Sequence, residues 1–295
     1  MTEDRLTTGV PGLDERLGGG FVPGTLTVIV GATGIGKTQL GLQFAHEGDS
    51  RNGRRGVVLD VSARGDSQNH AKYAERLFDW QMHQIDPSAK PHLTDFYSQE
   101  YVHGDYLHVF DYRGRRVTRN DLDWDEWRTW QAELNAKLQT AIAFMYGNFV
   151  QGCCRLVVDG VEPSDRPQES IQLNLFEYVY HQVVRKEPAW VARDLFREHY
   201  REQAAKAEEN QYDPGRIGCL LLYTSHEMML DDLISRPLDE GDALSNANTL
   251  IYMGKVREGT RILRGLYVAK HRGSACADEI MPYTIDDQGL RLTEA

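Results

Sequence analysis

Leu26-Thr-Val-Ile-Val30 runs directly into Gly31-Ala32-Thr33-Gly34-Ile35-Gly36-Lys37-Thr38, and Gln39-Leu-Gly-Leu-Gln-Phe-Ala45 follows. The first five residues are β-rich and predict a buried strand. The last seven predict a helix from Gly36 to about Glu47, with Leu40, Leu42, Phe44 and Ala45 as its apolar positions. Between them lies the pattern G-x-x-x-x-G-K-[ST], with a strand before it and a helix after it as its chemistry demands. Glycines let successive backbone N–H groups turn inward around phosphate oxygens, and the helix points its positive end at the same place. Lys37 then neutralises the β- and γ-phosphates, and the Thr38 hydroxyl serves as a ligand of Mg²⁺. Residues Gly31 to Gln39 are therefore the expected binding site of a nucleoside triphosphate with its Mg²⁺.

Such a site also needs a carboxylate for the metal's water shell, at the end of an apolar strand. Arg155-Leu-Val-Val-Asp159 supplies it, with Asp159 as the expected second metal residue. Val57–Val61 predicts another buried strand, Cys219–Tyr223 a third, and Thr249–Met253 and Gly265–Ala269 two more. Ser67–Met82 and Leu173–Val184 are expected helices. Asp121–Asp123 suit the start of a long amphipathic helix carrying Trp127, Trp130, Leu134, Leu138, Ala141 and Met145. A hairpin is expected around Arg113-Gly114, and Trp190–Asn210 reads as a charged, protruding helical arm. Strands alternating with helices predict an α/β fold, a mainly parallel sheet with helices on both faces.

Composition narrows the function. The 295 residues carry a formal charge of −11, which opposes broad adhesion to nucleic acid or anionic membrane. Arg54, Arg55, Arg113, Arg115 and Arg116 are the clusters where a local basic patch would lie. The four cysteines, Cys153, Cys154, Cys219 and Cys276, form no C-x-x-C pair. Met1–Thr8 is polar, and no apolar run reaches membrane-spanning length. A cytoplasmic, reduced protein without a membrane segment is expected.

Two further stretches carry a resemblance. Arg5-Leu-Thr-Thr-Gly-Val-Pro-Gly-Leu-Asp14, Leu17-Gly-Gly-Gly20 and Gly24 precede the phosphate loop. Arg264-Gly-Leu-Tyr-Val-Ala-Lys270-His-Arg272-Gly-Ser274, Tyr283-Thr-Ile-Asp286 and Gly289 lie near the other end. Together with the loop they closely resemble the KaiC-like branch of the RecA-type ATPases. The resemblance implies a RecA-like P-loop core over residues 1–295, elaborated at about 64–151 and 163–216. It implies a homo-oligomer, commonly a hexameric ring, with ATP between neighbours. Lys270 and Arg272 match the K-x-R-G-[ST] motif whose basic residues reach the adjacent subunit's γ-phosphate. Thr224, Ser225 and His226 stand where the family places polar residues that sense that phosphate.

One departure bears on catalysis. The family ends the strand corresponding to Val57–Val61 in one or two glutamates that activate the attacking water. This chain has Ser62-Ala63 there, and neither side chain accepts a proton usefully at neutral pH. Asp60 and Glu162 are the candidate replacements. Three functions remain open: an ATPase whose slow turnover switches conformation or partner binding, a hydrolysis-deficient regulatory or scaffold subunit, and a DNA recombinase or helicase relative. The elaborated segments are the natural places for a protein partner.

Overall fold

Every residue of strand β1, Leu26–Gly31, is buried. Consecutive apolar residues are what a strand covered on both faces requires. Val28 and Val30 point into one core layer and Ile29 into the other, as period-two alternation dictates. The computed structural model describes residues 5–52, 54–62, 69–88, 92–98, 100–110, 124–163, 170–235 and 243–293. Within them the further strands are β2 (Val57–Asp60), β3 (Gln84–Ile85), β4 (Tyr106–His108), β5 (Arg155–Val161), β6 (Gly218–Thr224), β7 (Thr249–Glu258), β8 (Arg261–His271), β9 (Met281–Asp286) and β10 (Gly289–Leu292). They form one sheet in the order β10-β9-β8-β7-β1-β6-β5-β2-β4-β3. From β7 to β3 neighbouring strands are parallel; β7, β8, β9 and β10 pair antiparallel.

Helices cover both faces. On one side α1 (Leu13–Arg16), α2 (Lys37–Asn52) and α3 (His70–Phe78) share a core with Ile29, Val58, Val157 and Leu222. On the other, α4 (Trp124–Val150), α5 (Ile171–Val179) and α6 (Pro188–Phe196) pack with Val28, Leu59, Val158 and Leu221. The expected apolar positions of α2, Leu40, Leu42, Phe44 and Ala45, are all buried. Its one buried polar side chain among the described residues, beyond Lys37 itself, is Gln43. The Gln43 amide donates to the Gly9 and Leu290 carbonyls, each at 2.9 Å, and its oxygen accepts from Leu290 N at 2.8 Å. The helix after the phosphate loop is thereby tied to both the N-terminal segment and β10.

Several expectations need correction. Ser67–Met82 holds a shorter helix, α3, which begins at the Asn69 cap and stops where Asp79 turns left-handed at φ 50°. Tyr106–His108 is a parallel strand beside β2 that was not expected; the hairpin expected around Arg113-Gly114 and the helix start at Asp121–Asp123 lie outside the described residues. Trp190–Asn210 is no protruding arm. It is α6 followed by α7 (Tyr200–Glu209), broken at Arg197, and α6 buries Val191, Ala192, Leu195 and Phe196. The two expected strands at Thr249–Met253 and Gly265–Ala269 are the buried halves of longer antiparallel partners, β7 and β8.

Candidate nucleotide-binding site

The loop between β1 and α2 sits at the carboxyl end of the central strand, where open parallel sheets place ligands. Gly34 takes φ +77°, and no atom lies within 4 Å of where a Cβ would be, so open space lies against this turn. Lys37 folds back beneath the loop, its Nζ donating to the Gly31 carbonyl at 2.8 Å and the Ala32 carbonyl at 2.9 Å. Burial pulls its ammonium down to about 8, with the charge of Asp159 acting in the opposite direction. Ile35 is buried, and its carbonyl accepts from the Tyr283 hydroxyl at 2.7 Å.

Asp159 ends the apolar part of β5 and is 1% exposed. Its Oδ2 accepts from Thr38 Oγ1 at 2.7 Å, closing the expected metal pair across 121 residues. Gly160 N donates to its Oδ1 at 2.7 Å. Gly160 itself takes φ +94° at the point where β5 shifts register against β6, and its missing Cβ leaves room for Ser62. A third donor was not foreseen. His70, the first residue of α3, places Nε2 3.0 Å from Asp159 Oδ2 and Nδ1 3.5 Å from Asp60 Oδ2. Burial disfavours the His70 cation, but the hydrogen bond to Asp159 and the charges of both aspartates outweigh it and hold its pKa above the usual value. Burial likewise opposes ionisation of Asp159, yet His70, Thr38 and Lys37 together keep its pKa below the ordinary carboxylate range.

Lys37, Thr38 and Asp159 border a cavity of about 280 Å³. Thr33, Gly34, Gly36, Lys37, Thr38 and Gln39 line it from the loop and α2, with Asp159 and Thr224 at the strand ends. Tyr73, Arg264 and Ile285 complete the wall, and sequence reasoning missed them as site residues. The Arg76 guanidinium lies 5.4 Å above the Tyr73 ring. Nothing local marks His70 or Tyr73, because α3 reaches the site only through its docking on the strand ends. Arg264 stands inside a stretch that resembles the family, six residues before Lys270.

Other candidates lie elsewhere. Asp60 is buried outside the cavity wall, its Oδ1 accepting from Ser62 N at 2.8 Å and its Oδ2 from the Tyr106 hydroxyl at 2.7 Å. Ser62 is buried, its carbonyl 2.9 Å from His108 Nε2; Ala63 lies outside the described residues. Glu162 follows β5, its backbone N–H donating to Gln172 Oε1 at 3.0 Å. Ser225 donates from N to the Gly31 carbonyl at 3.0 Å and pairs its hydroxyl with Glu227, while His226 is exposed. Lys270 Nζ donates to the Ser245 carbonyl at 2.7 Å, and Arg272 is exposed; neither lines this chain's own cavity.

The donor set fits a phosphate-bound hard cation. Among the described residues no cluster of three or more histidine, cysteine or acidic side chains could grip a metal alone. One hydroxyl and one carboxylate suit Mg²⁺ when phosphate oxygens and water supply the remaining ligands.

Known proteins resemble the chain over parts of its length. Residues 6–114 match the family model described as the KaiC ATPase. The chain is 36% identical over 76 residues to the circadian clock oscillator protein KaiC of Rippkaea orientalis, a match covering 26% of the chain and 13% of that protein. It is 46% identical over 52 residues to the DNA repair protein RadA of Mycobacterium tuberculosis, covering 18% of the chain and 11% of RadA. A crystal structure of a KaiC-like protein from Pyrococcus horikoshii OT3 superposes with a TM-score of 0.51 and 18% identity, covering 98% of this chain and 99% of that one. The fold is that of a RecA-type P-loop protein, and over residues 6–114 the chain is KaiC-like. No helix among the described residues is long and apolar enough to cross a membrane.

Proposed function

We propose that this protein binds Mg-ATP at the β1–α2 loop, works as a homo-oligomer, and uses slow hydrolysis to switch its elaborated segments or a protein partner. The observation that carries this reading is the convergence of Lys37, Thr38 and Asp159 on one cavity, from positions 121 residues apart. Lys37 supplies positive charge for the β- and γ-phosphates, and it already sits with its stem under the loop. Thr38 and Asp159 would hold Mg²⁺, which when bound neutralises charge on the phosphate oxygens. Tyr73 and Ile285 give the cavity an aromatic and apolar wall suited to a base, and Arg264 adds a charged donor beside it. Arg272 is exposed and neither it nor Lys270 lines this chain's own cavity, which supports a role on a neighbouring subunit's nucleotide.

A second reading, an ATP-binding regulatory subunit without turnover, draws support from β2. Ser62 replaces the expected glutamate, and Asp60 is engaged by Ser62, Tyr106 and His70 outside the cavity wall. The DNA recombinase reading has the RadA similarity in its favour and the net charge of −11 against it. Equilibrium binding of Mg-ATP and steady-state phosphate release, each with Lys37→Ala alongside, test the proposal. Binding lost in the variant supports the site; equal binding in both proteins sinks it. Tight binding with no phosphate release selects the second reading.

A further inference from the structure

Helix α3 touches the candidate site twice. His70 reaches Asp159 through Nε2 at 3.0 Å, and Tyr73, one turn later on the same face, lines the cavity. The helix is also fastened to α2: Ala74 is fully buried in their shared core, and the Phe78 ring stacks on His46 with centroids 4.2 Å apart. Its N-terminus is therefore not free to drift from the strand ends. Asp159 accepts three hydrogen bonds, from Thr38, His70 and Gly160 N. Gly160 N belongs to the aspartate's own backbone neighbour and Thr38 is the other metal residue. Among the described residues, His70 is thus the one hydrogen-bond partner that links this carboxylate to the segment after β2.

We propose that His70 is a positioning residue for the bound metal: its hydrogen bond fixes the Asp159 carboxylate, so that α3 couples metal–nucleotide occupancy to the elaborated segment that follows it. The proposal rests on the Mg-ATP reading above. A carboxylate held by an outer donor presents its lone pairs in one orientation, and loss of such donors typically weakens a metal site about tenfold or more. Tyr73 makes the same helix sensitive to the rest of the ligand.

The test is calorimetric binding of ATP with Mg²⁺ and of ATP with EDTA, on wild type, His70→Ala, His70→Phe, His70→Gln and Lys37→Ala. The readout is the factor by which Mg²⁺ tightens ATP binding. That factor is expected to fall about tenfold in His70→Ala and His70→Phe, with metal-free binding shifting far less. It should recover in His70→Gln, whose amide N–H replaces the imidazole donor. His70→Phe fills the site's volume and keeps the test open should the alanine variant unfold. A factor unchanged or raised in both donor-free variants overturns the proposal, as does an equal loss with and without Mg²⁺. Failure of the parent reading looks different: wild type then binds no ATP, or Lys37→Ala binds it as well as wild type does.

Discussion

The Arg155 guanidinium donates to the Thr7 carbonyl at 2.7 Å, joining residues 148 apart in sequence. The same nitrogen donates to the Phe44 carbonyl at 2.9 Å, Nη2 reaches Thr7 Oγ1 at 3.3 Å, and the Phe44 ring lies 4.7 Å from the guanidinium carbon. Arg155 is 1% exposed, and burial brings its pKa down to about 10. One buried cation thus binds the N-terminal segment, α2 and β5 together. Arg155→Ala strands two buried carbonyls and opens a cavity, at a cost of about 3 kcal/mol or more. Urea denaturation checks this, and a midpoint within error of wild type would contradict the bracing role.

Tyr73 should matter to ATP but not to bare triphosphate. Truncation of an aromatic ring that stacks on a base costs about 1 kcal/mol or more. Tyr73→Ala is therefore expected to weaken ATP binding roughly fivefold or more while leaving inorganic triphosphate affinity in place. Equal loss for both ligands would assign Tyr73 to packing alone.

Arg272→Ala should leave ATP binding by isolated subunits unchanged and lower phosphate release in the assembled protein. A positive charge supplied across an interface can contribute 10³-fold or more to phosphoryl transfer, roughly. Turnover measured against protein concentration, wild type beside variant, gives the answer. Matching curves would remove Arg272 from the reaction.

His103 carries a pH signature. It is 4% exposed, holds the Phe96 carbonyl 3.1 Å from Nε2, and burial pushes its pKa down to about 4. An unfolded histidine titrates near ~6.5. Between those values the unfolded chain binds the extra proton and the folded chain does not, so stability falls as pH drops from about 6.5 towards 4. The contribution is up to about 3 kcal/mol. His103→Gln should flatten the melting temperature across that window; an unchanged slope would place the acid sensitivity elsewhere.

The phosphate loop and its strand and helix were legible because the chemistry is local: Gly31 to Thr38 are contiguous, and their conformation follows from glycine and lysine placement. Asp159 was legible because an apolar run ending in an acid is a short-range pattern. His70 escaped detection for the opposite reason. Its partner lies 89 residues away, and only the docking of α3 on two strand ends joins them. The segment around Trp190 was misread through its charge content. Arg193 and Asp194 interrupt a stripe in which Val191 and Leu195, and Ala192 and Phe196, recur four residues apart and face the core. Periodicity carried more information there than composition. Tyr106–His108 went unforeseen because three residues give too little alternation to mark a strand.

The tie between Gln43 and Leu290 sets an order of events during synthesis. Chains grow at roughly 5–20 residues per second, and 247 residues separate the two partners, so on the order of tens of seconds pass between their translation. Throughout that interval the nascent phosphate loop has its full sequence, but its helix lacks the strand that grips it through Gln43. The hold of β10 on this helix is thus made only late in the protein's synthesis, after the other strands of the described sheet have been translated.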